Sequence, residues 1–367
     1  MNVTFFQNRT FIYNSTESLS LRITDIGNSF ILPPICFIGI ILNLINILVL
    51  LQPELKDEIN KFMLINSILD LKFLLICSVT FIIRCGSFCQ FGYTYISKFY
   101  ELYIYLFVGN SILLFATLME ILVSLNRLFS FSTSPNLIFK KFNKLNAMLK
   151  CVILIIFSLF INFPSYILTR SVQRIGILET KSKTGLVNYK ELYIVGNNRL
   201  GKDPLFTILL FLLTLFRGIF FLAILFILNI IIGYKFRLQM HKKTKILPDG
   251  LSILNSKSII KTKVAEEKVT KMIMLMCMLY LFGNVPNSIS PILFTLKYEI
   301  LAYNKYVIFG NVMLFASRGS YFFVYLYFNK NFKNALIRII QKILMVNRTI
   351  TKFESEIDTK NSTQMAK

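Results

Sequence analysis

Three ionisable residues stand inside long apolar stretches of this sequence, where charges are costly and usually functional. They are Asp70, Glu120 and Arg318. At ~1.5 Å per helical residue, their depths from one side of the membrane are ~12, ~10 and ~15 Å. Two carboxylates and a guanidinium at similar depth would compensate one another, and an arginine can bridge both. We therefore expect an intramembrane charge network. The alternative is that one side chain snorkels or faces a polar gap.

The sequence shows no pattern of residues that is typical of an enzyme active site. The single histidine, His241, stands in a run of lysines, where solvation alone accounts for it. The sequence contains no paired-cysteine zinc spacing, no phosphate-binding glycine loop and no histidine beside a nucleophile. We therefore expect a protein that is not an enzyme and that has neither a cofactor nor a metal site.

The composition is that of an integral membrane protein. Of the 367 residues, 55% are hydrophobic and only 16% are charged, and the mean hydropathy is +0.61. A soluble chain of this length carries more charge. The net charge of +23 indicates basic loops at a membrane surface, so we expect the lipid bilayer, and not nucleic acid, as a partner.

Seven apolar segments are each long enough to span a bilayer, which predicts an all-α bundle of seven transmembrane helices. If the N-terminus is extracellular, the inner segments carry 23 Lys and Arg residues and the outer segments 13. This imbalance favours an extracellular N-terminus. The predicted spans are residues 28–51, 62–83, 99–125, 147–168, 205–232, 270–295 and 304–328.

The flanking segments divide the chain further. Residues 1–27 form a predicted extracellular tail, and residues 28–328 form the seven-helix domain. Residues 329–344 alternate apolar and basic side chains at helical spacing, which predicts an amphipathic cytoplasmic helix on the membrane surface. Residues 345–367 read as a disordered cytoplasmic tail. The predicted glycosylation sites in the first tail are Asn2, Asn8 and Asn14.

The stretch from Glu266 to Pro286 begins with charges, becomes apolar and reaches a proline after roughly 30 Å of helix. An internal proline bends a helix, so the Glu266 end can move while the other end stays packed. The sequence Lys268-Val269-Thr270-Lys271-Met272, with Pro286 fifteen residues after Lys271, resembles the sixth helix of rhodopsin-like G-protein-coupled receptors.

Further motifs extend this resemblance from Phe30 to Phe332. Arg127 matches the arginine of the family's Asp-Arg-Tyr triplet, which reads Asn126-Arg127-Leu128 here. Tyr325 matches the tyrosine of the seventh-helix motif, although Tyr321-Phe322 replaces its Asn-Pro.

The resemblance implies a plasma-membrane receptor of the invertebrate peptide or orphan kind. It would couple an extracellular ligand to an intracellular heterotrimeric G protein. It also implies an activation switch in which Arg127 clasps Glu266, with Pro286 and Tyr325 as moving parts.

Sodium binding is a further property that the resemblance brings into question. Asp70 matches the second-helix aspartate that helps to bind sodium in the family. Arg318 stands where the site has polar residues of the seventh helix, and Ala116 replaces a polar residue of the third helix. The resemblance therefore implies that a permanent cation replaces sodium.

Three positions are candidate ligand contacts. Gly109 stands where receptors for amines carry an aspartate, which disfavours a biogenic amine. Asn284 replaces the family's tryptophan, and Arg217 is a candidate anion contact. The basic loop 169–204 could steer an acidic peptide, or it could simply be solvated. A peptide is therefore the expected ligand.

The cysteines predict a local disulfide. The resemblance implies a bond from the third helix to the second outer loop, but Leu102 stands at the helix position and loop 169–204 contains no cysteine. Cys85 and Cys89 could pair instead if their Cα atoms approach within ~7 Å.

A membrane transporter or channel is the alternative to a receptor. It would use Asp70, Glu120 and Arg318 as a pathway for its substrate. The sequence has no internal repeat, which counts against most transporter folds.

Overall fold

The seven predicted spans are all present as helices in the computed structural model. The model describes residues 23–84, 91–130, 147–181, 187–245, 253–295, 299–342 and 344–345. Asn2, Asn8, Asn14, Cys85 and Cys89 lie outside these residues, so their glycosylation and disulfide remain predictions.

Seven helices of the described chain are long and apolar enough to cross a membrane. Their lengths and composition confirm the prediction of a multi-pass, mostly helical membrane protein. The helices are α1 (Ile23–Leu50), α2 (Glu58–Ile83), α3 (Tyr95–Phe99, Tyr100–Gly109 and Asn110–Ser130), α4 (Ala147–Phe163 and Pro164–Leu168), α5 (Pro204–Leu215, Phe216–Phe220 and Phe221–Lys245), α6 (Ile253–Thr295) and α7 (Ile300–Phe328).

The helices pack as a closed bundle. Helix α1 packs against α2 and α7, and α6 lies between α5 and α7. Helix α3 is central, because it contacts α2, α4, α5 and α6. The main apolar core draws buried side chains from α1, α2, α3, α5, α6 and α7.

Four of the spans contain π-helical turns, in which the backbone bond closes over one extra residue. The extra residue rotates the side chains that follow it relative to an ideal α-helix. Helix faces beyond these turns therefore cannot be read from α-helical spacing alone. The π segments are Gly27–Ile31, Tyr100–Gly109, Pro164–Leu168 and Phe216–Phe220.

A β-hairpin stands in the loop between α4 and α5. Strand β1 (Arg170–Lys181) pairs antiparallel with β2 (Val187–Asn197), and a bulge lies between Arg174 and Gly176. The sequence pattern of loop 169–204 predicts no strands. Two strands satisfy each other's backbone groups, which explains why a long loop can be ordered here. The hairpin marks one end of the bundle, called the hairpin end below.

The predicted amphipathic helix follows α7 as residues 330–342, named α8. The backbone N–H of Phe332 donates to Asn329 Oδ1 at 3.1 Å, which caps the helix start. Phe332 and Ala335 are almost fully buried against the bundle. Arg338 forms an ion pair of 2.6 Å with Glu54 in the turn between α1 and α2. This end of the bundle is called the α8 end.

Helix α6 is much longer than the predicted span 270–295. It has 43 residues, which correspond to roughly 65 Å of helix, about twice the hydrocarbon thickness. The additional residues are mostly polar, so hydropathy alone did not include them. Pro286 and Pro291 both lie inside this helix.

Candidate functional site

The structure places two of the three charged residues of the predicted network in direct contact. Arg318 Nη1 on α7 donates to Asp70 Oδ1 on α2 at 3.0 Å. Their side chains are 1% and 3% exposed. The charges are therefore deep inside the bundle and neutralise each other there.

Arg318 also contacts α6 and α1. Its Nη2 donates to Asn284 Oδ1 at 3.1 Å, and its guanidinium lies 4.6 Å from the ring centroid of Tyr280. Asn43 Nδ2 on α1 donates to the Arg318 carbonyl at 3.2 Å. Because these partners come from three helices and Arg318 itself is on α7, Arg318 holds α1, α2, α6 and α7 together. We call Asp70, Arg318, Tyr280, Asn284 and Asn43 the Arg318 cluster.

Glycines allow α7 to approach its neighbours beside this cluster. A Cβ on Gly319 would lie 3.4 Å from Gly39 Cα on α1, and a Cβ on Gly283 would lie 2.6 Å from Ser317 Cβ. The second distance is below any normal van der Waals contact. A residue without a side chain is therefore required at Gly283 for α6 and α7 to pack as they do.

Glu120 is buried but lies outside the Arg318 cluster. Its Oε1 accepts from Asn66 Nδ2 at 2.9 Å, and Cys277 Sγ lies 3.7 Å from its Oε2. Among the described side chains, no cation forms an ion pair with it. Of the two carboxylates that an arginine could bridge, only Asp70 accepts a hydrogen bond from Arg318 among the described contacts. Arg318 Nη2 donates to Asn284 and not to Glu120.

The residues around Asp70 do not fit a bound sodium ion, in line with the replacement of sodium that the sequence resemblance implies. Arg318 already supplies the positive charge on Asp70 Oδ1, and Ala116 offers no oxygen ligand. In the described part of the chain, no group of three or more His, Cys, Asp or Glu side chains could hold a metal ion. A resident guanidinium takes the place of a bound cation.

The four residues of the predicted switch lie in α3, α6 and α7. Arg127 is half-buried in the last turn of α3, and Pro286 is inside α6. Tyr325 is fully buried, with its ring 5.6 Å from that of Phe332 on α8. Glu266 is on α6, but its side chain is outside those the structure describes, so the clasp with Arg127 stays a prediction.

A polar cavity of about 140 Å³ lies between α3, α5, α6 and α7, on the hairpin side of the Arg318 cluster. Two of the three candidate ligand contacts, Arg217 and Asn284, line it. Asn284 therefore faces both the cavity and Arg318. The polar lining residues are Asn110, Thr117, Thr214, Arg217, Asn284, Asn287 and Ser288.

Gly109 is not among the described residues that line this cavity. It is buried at the end of the π segment, where a Cβ would lie 3.9 Å from Ile76 Cγ2 on α2. The next residue, Asn110, lines the cavity in its place. Asn110 follows directly on the π segment Tyr100–Gly109, whose wider turns change the side of the helix that each residue faces.

Ion pairs and aromatic contacts join α2, α3 and the hairpin where the sequence resemblance implies a disulfide. Glu101 accepts from Arg84 Nη2 at 2.6 Å and from Lys98 Nζ at 2.8 Å. Tyr95 packs edge-on against Tyr193 of β2, with centroids 5.4 Å apart. Leu102 is fully buried at the position where the sequence resemblance implies a cysteine.

Within the hairpin, Glu191 accepts a hydrogen bond from the Tyr193 hydroxyl and pairs with Arg174 at 2.9 Å. The hydrogen bond raises the pKa of the Tyr193 phenol.

Sequence reasoning missed several partners in these sites. Each of them lies one helical turn from another residue of these sites, but amides and tyrosines are frequent along the chain, so this spacing alone does not single them out. The pairs are Asn66 with Asp70, Tyr280 with Asn284, and Asn162 with Tyr166.

Comparison with solved structures finds a likeness to squid rhodopsin. The TM-score is 0.55 and the sequence identity 18%, over 93% of this chain and 88% of the squid chain. No protein-family model and no curated protein matches the sequence. At this level of identity the likeness concerns the fold. The chain is therefore similar to squid rhodopsin in its seven-helix membrane architecture.

Proposed function

We propose that this protein is a rhodopsin-like G-protein-coupled receptor, which transmits the binding of an extracellular ligand to an intracellular heterotrimeric G protein. The observation that carries the proposal is the position of the Arg318 cluster. It ties four helices together directly beside a polar cavity, and Asn284 belongs to both. A ligand in the cavity can therefore change the contacts that hold α6 and α7.

The proposed receptor lies in the plasma membrane with its N-terminus and hairpin outside. The greater number of Lys and Arg residues in the inner segments supports this orientation. Helix α8 adds support, because it exposes Ile337 and Ile340 beside basic residues. Such a surface suits the anionic inner leaflet.

The proposed switch is a movement of the α8 end of α6. Arg127 and Glu266 would hold α3 and α6 together at rest, and the bend at Pro286 would let the Glu266 end move outward. The long polar extension of α6 gives this end a lever beyond the membrane. The resulting opening would receive a segment of the G protein.

The proposed ligand is a peptide and not a biogenic amine. The described residues that line the cavity include no carboxylate, so an ammonium group would find no partner there. The hairpin adds basic side chains at the cavity's end of the bundle, including Arg170 and Arg174. These side chains would attract an acidic ligand.

A transporter or channel finds less support. Asp70 and Arg318 are locked in an ion pair, and Glu120 is held by Asn66. None of these three charged residues lines the polar cavity, although all belong to the described chain. A substrate pathway would need charges that it can reach.

A peptide-library screen on expressing cells, with a promiscuous G-protein reporter, tests the proposal. A peptide should raise the reporter in wild-type cells, and Arg127→Ala should abolish the response at matched surface expression. Purified protein in liposomes provides the opposing test. Substrate flux or current through these liposomes, without any ligand-dependent nucleotide exchange, would overturn the receptor function in favour of a transporter or channel.

A further inference from the structure

Arg217 is a positive charge in a membrane-spanning helix without a counter-ion in the described chain. Its Nη1 donates to Asn162 Oδ1 and its Nη2 to the Tyr166 hydroxyl, both at 2.7 Å. Both partners are neutral. Since an uncompensated charge at membrane depth is costly and usually functional, Arg217 calls for an anion from outside the chain. Arg318, by contrast, is neutralised by Asp70.

The guanidinium of Arg217 is held in place for such an anion. Asn162 is fully buried, and its Nδ2 donates to the Ser158 carbonyl at 2.8 Å, so its Oδ1 is fixed toward Arg217. The ring of Tyr166 lies 5.0 Å from the guanidinium. Of the five N–H donors of an arginine, two are used here and three are left. Arg217 also stands in a π segment, a feature frequent at functional sites.

The cavity beside Arg217 surrounds this charge with neutral donors. Amides and hydroxyls make up the rest of its polar lining, and no acidic residue is present among them. Its volume of about 140 Å³ is well below the roughly 300–1,000 Å³ of sites that enclose a whole small ligand. It can therefore hold one end of a larger molecule.

We propose that this cavity is a carboxylate subsite, in which Arg217 binds the anionic end of the receptor's ligand. The inference rests on the proposed receptor function and specifies the chemistry of its ligand. A single arginine with neutral donors matches a singly charged carboxylate through its planar fork. Phosphate, with about two negative charges, would leave excess charge buried.

One source of the carboxylate is the C-terminus of a peptide that enters from the hairpin end. Arg170, at the start of β1, lies 5.5 Å from the ring of Tyr166, the same ring that Arg217 contacts. Arg170 forms no ion pair with the described carboxylates. The two arginines therefore mark a path for an anion from the hairpin into the cavity.

The other source is a free fatty acid from the bilayer. An apolar groove of about 600 Å³ between α5, α6 and α7 shares Leu222 and Ser288 with the cavity wall. Phe226, Phe282 and Phe309 line the groove and are about half exposed, as expected for a surface that lipid covers. An acyl chain in this groove would leave its carboxylate beside the polar cavity.

The test is a thermal-shift titration of the purified full-length protein with sodium propionate at constant ionic strength. Propionate should raise the unfolding temperature saturably, whereas neutral propionamide and inorganic phosphate should not. Arg217→Gln should weaken the affinity for propionate by about tenfold or more, because it removes the charged hydrogen bonds. Arg199→Gln, an exposed arginine at the same end, should behave as wild type.

Tyr166→Phe provides a second variant, which keeps the packing but removes one of the bonds that position Arg217. Its affinity for propionate should also fall. The proposal is overturned if propionate and propionamide stabilise the protein equally, or if Arg217→Gln binds propionate as tightly as the wild type does. It is also overturned if phosphate stabilises the protein and carboxylates do not. The same holds if no carboxylate stabilises the wild type. If Arg217→Gln does not fold, the proposal is tested by the comparison of propionate, propionamide and phosphate on the wild type and by the propionate affinity of Tyr166→Phe.

Two further probes distinguish the sources. Dodecanoate should bind much more tightly than propionate if the ligand is a fatty acid, and Phe282→Ser should cancel this gain. Short peptides with a free C-terminus should bind more tightly than their amides if the ligand is a peptide. These binding measurements need no G protein. Arg217-dependent binding without any nucleotide exchange would therefore refute the receptor function alone.

Discussion

Nη1 of Arg318 lies 3.0 Å from Oδ1 of Asp70, and this ion pair is almost completely buried between α7 and α2. Removing two charges from water is expensive, so such a pair is tolerated only with good geometry and further hydrogen bonds. Asn284 and the ring of Tyr280 supply these additional contacts. Loss of one partner leaves the other as an uncompensated charge.

Arg318→Met should lower the free energy of unfolding by about 3–5 kcal/mol, because Asp70 is then buried without a cation. Adding Asp70→Asn should recover part of this loss, since neither charge remains. Thermal unfolding of the purified variants, together with surface expression, measures both effects. A double variant no more stable than Arg318→Met would contradict the pairing.

Neutralising Glu120 should affect the unfolding temperature in the opposite way to neutralising Asp70. A glutamine keeps the oxygen that accepts from Asn66, and a carboxylate buried without a cation is costly. Glu120→Gln should therefore leave the unfolding temperature unchanged or raise it, whereas Asp70→Asn should lower it. Thermal unfolding of the two single variants makes the comparison. Equal destabilisation of Glu120→Gln and Asp70→Asn would contradict the different roles of the two carboxylates.

The contact between Gly283 and Ser317 should be sensitive to a single methyl group. Gly283→Ala places a Cβ 2.6 Å from Ser317 Cβ, which should cost about 1–3 kcal/mol through overpacking. Ser317→Gly should restore stability in the double variant. Gly176→Ala is the matched control, since nothing lies within 4 Å of a Cβ there. Thermal unfolding that is unaltered by Gly283→Ala would show that α6 and α7 are less tightly packed than described.

Hydropathy and depth were enough to anticipate the seven helices and the opposition of Asp70 and Arg318. These two predictions need only the bilayer thickness and the helical rise of about 1.5 Å per residue. The partner of Glu120 could not be read in this way. Asn66 carries no charge, and many amides occur along the chain, so only the packed structure selects it.

Local backbone irregularities explain the remaining differences. The π turns before Asn110 bring that residue, and not Gly109, to the cavity. The bulge between Arg174 and Gly176 breaks the alternation of β1, which hides the strand from a period-two pattern. Such shifts in which side of a helix or strand a residue faces depend on packing against neighbouring elements. A single sequence carries no information about that packing.

The predicted clasp between Arg127 and Glu266 should be visible in ligand-free signalling. A partly exposed ion pair contributes about 1 kcal/mol, which shifts a two-state population about fivefold. Glu266→Ala should therefore raise basal nucleotide exchange on the G protein. Glu267→Ala is the control, because Glu267 pairs with Lys271 on its own helix at 2.7 Å. Equal basal activity of the two variants at matched expression would rule out the clasp.

The most direct test of a resident cation in the bundle core is the sodium dependence of thermal unfolding. Wild-type protein is compared in sodium chloride and in choline chloride at equal ionic strength. Because Arg318 already occupies Asp70, the two unfolding temperatures should coincide at every concentration. A saturable stabilisation by sodium of about 4 °C or more would contradict the account, since it would require a free site for the ion.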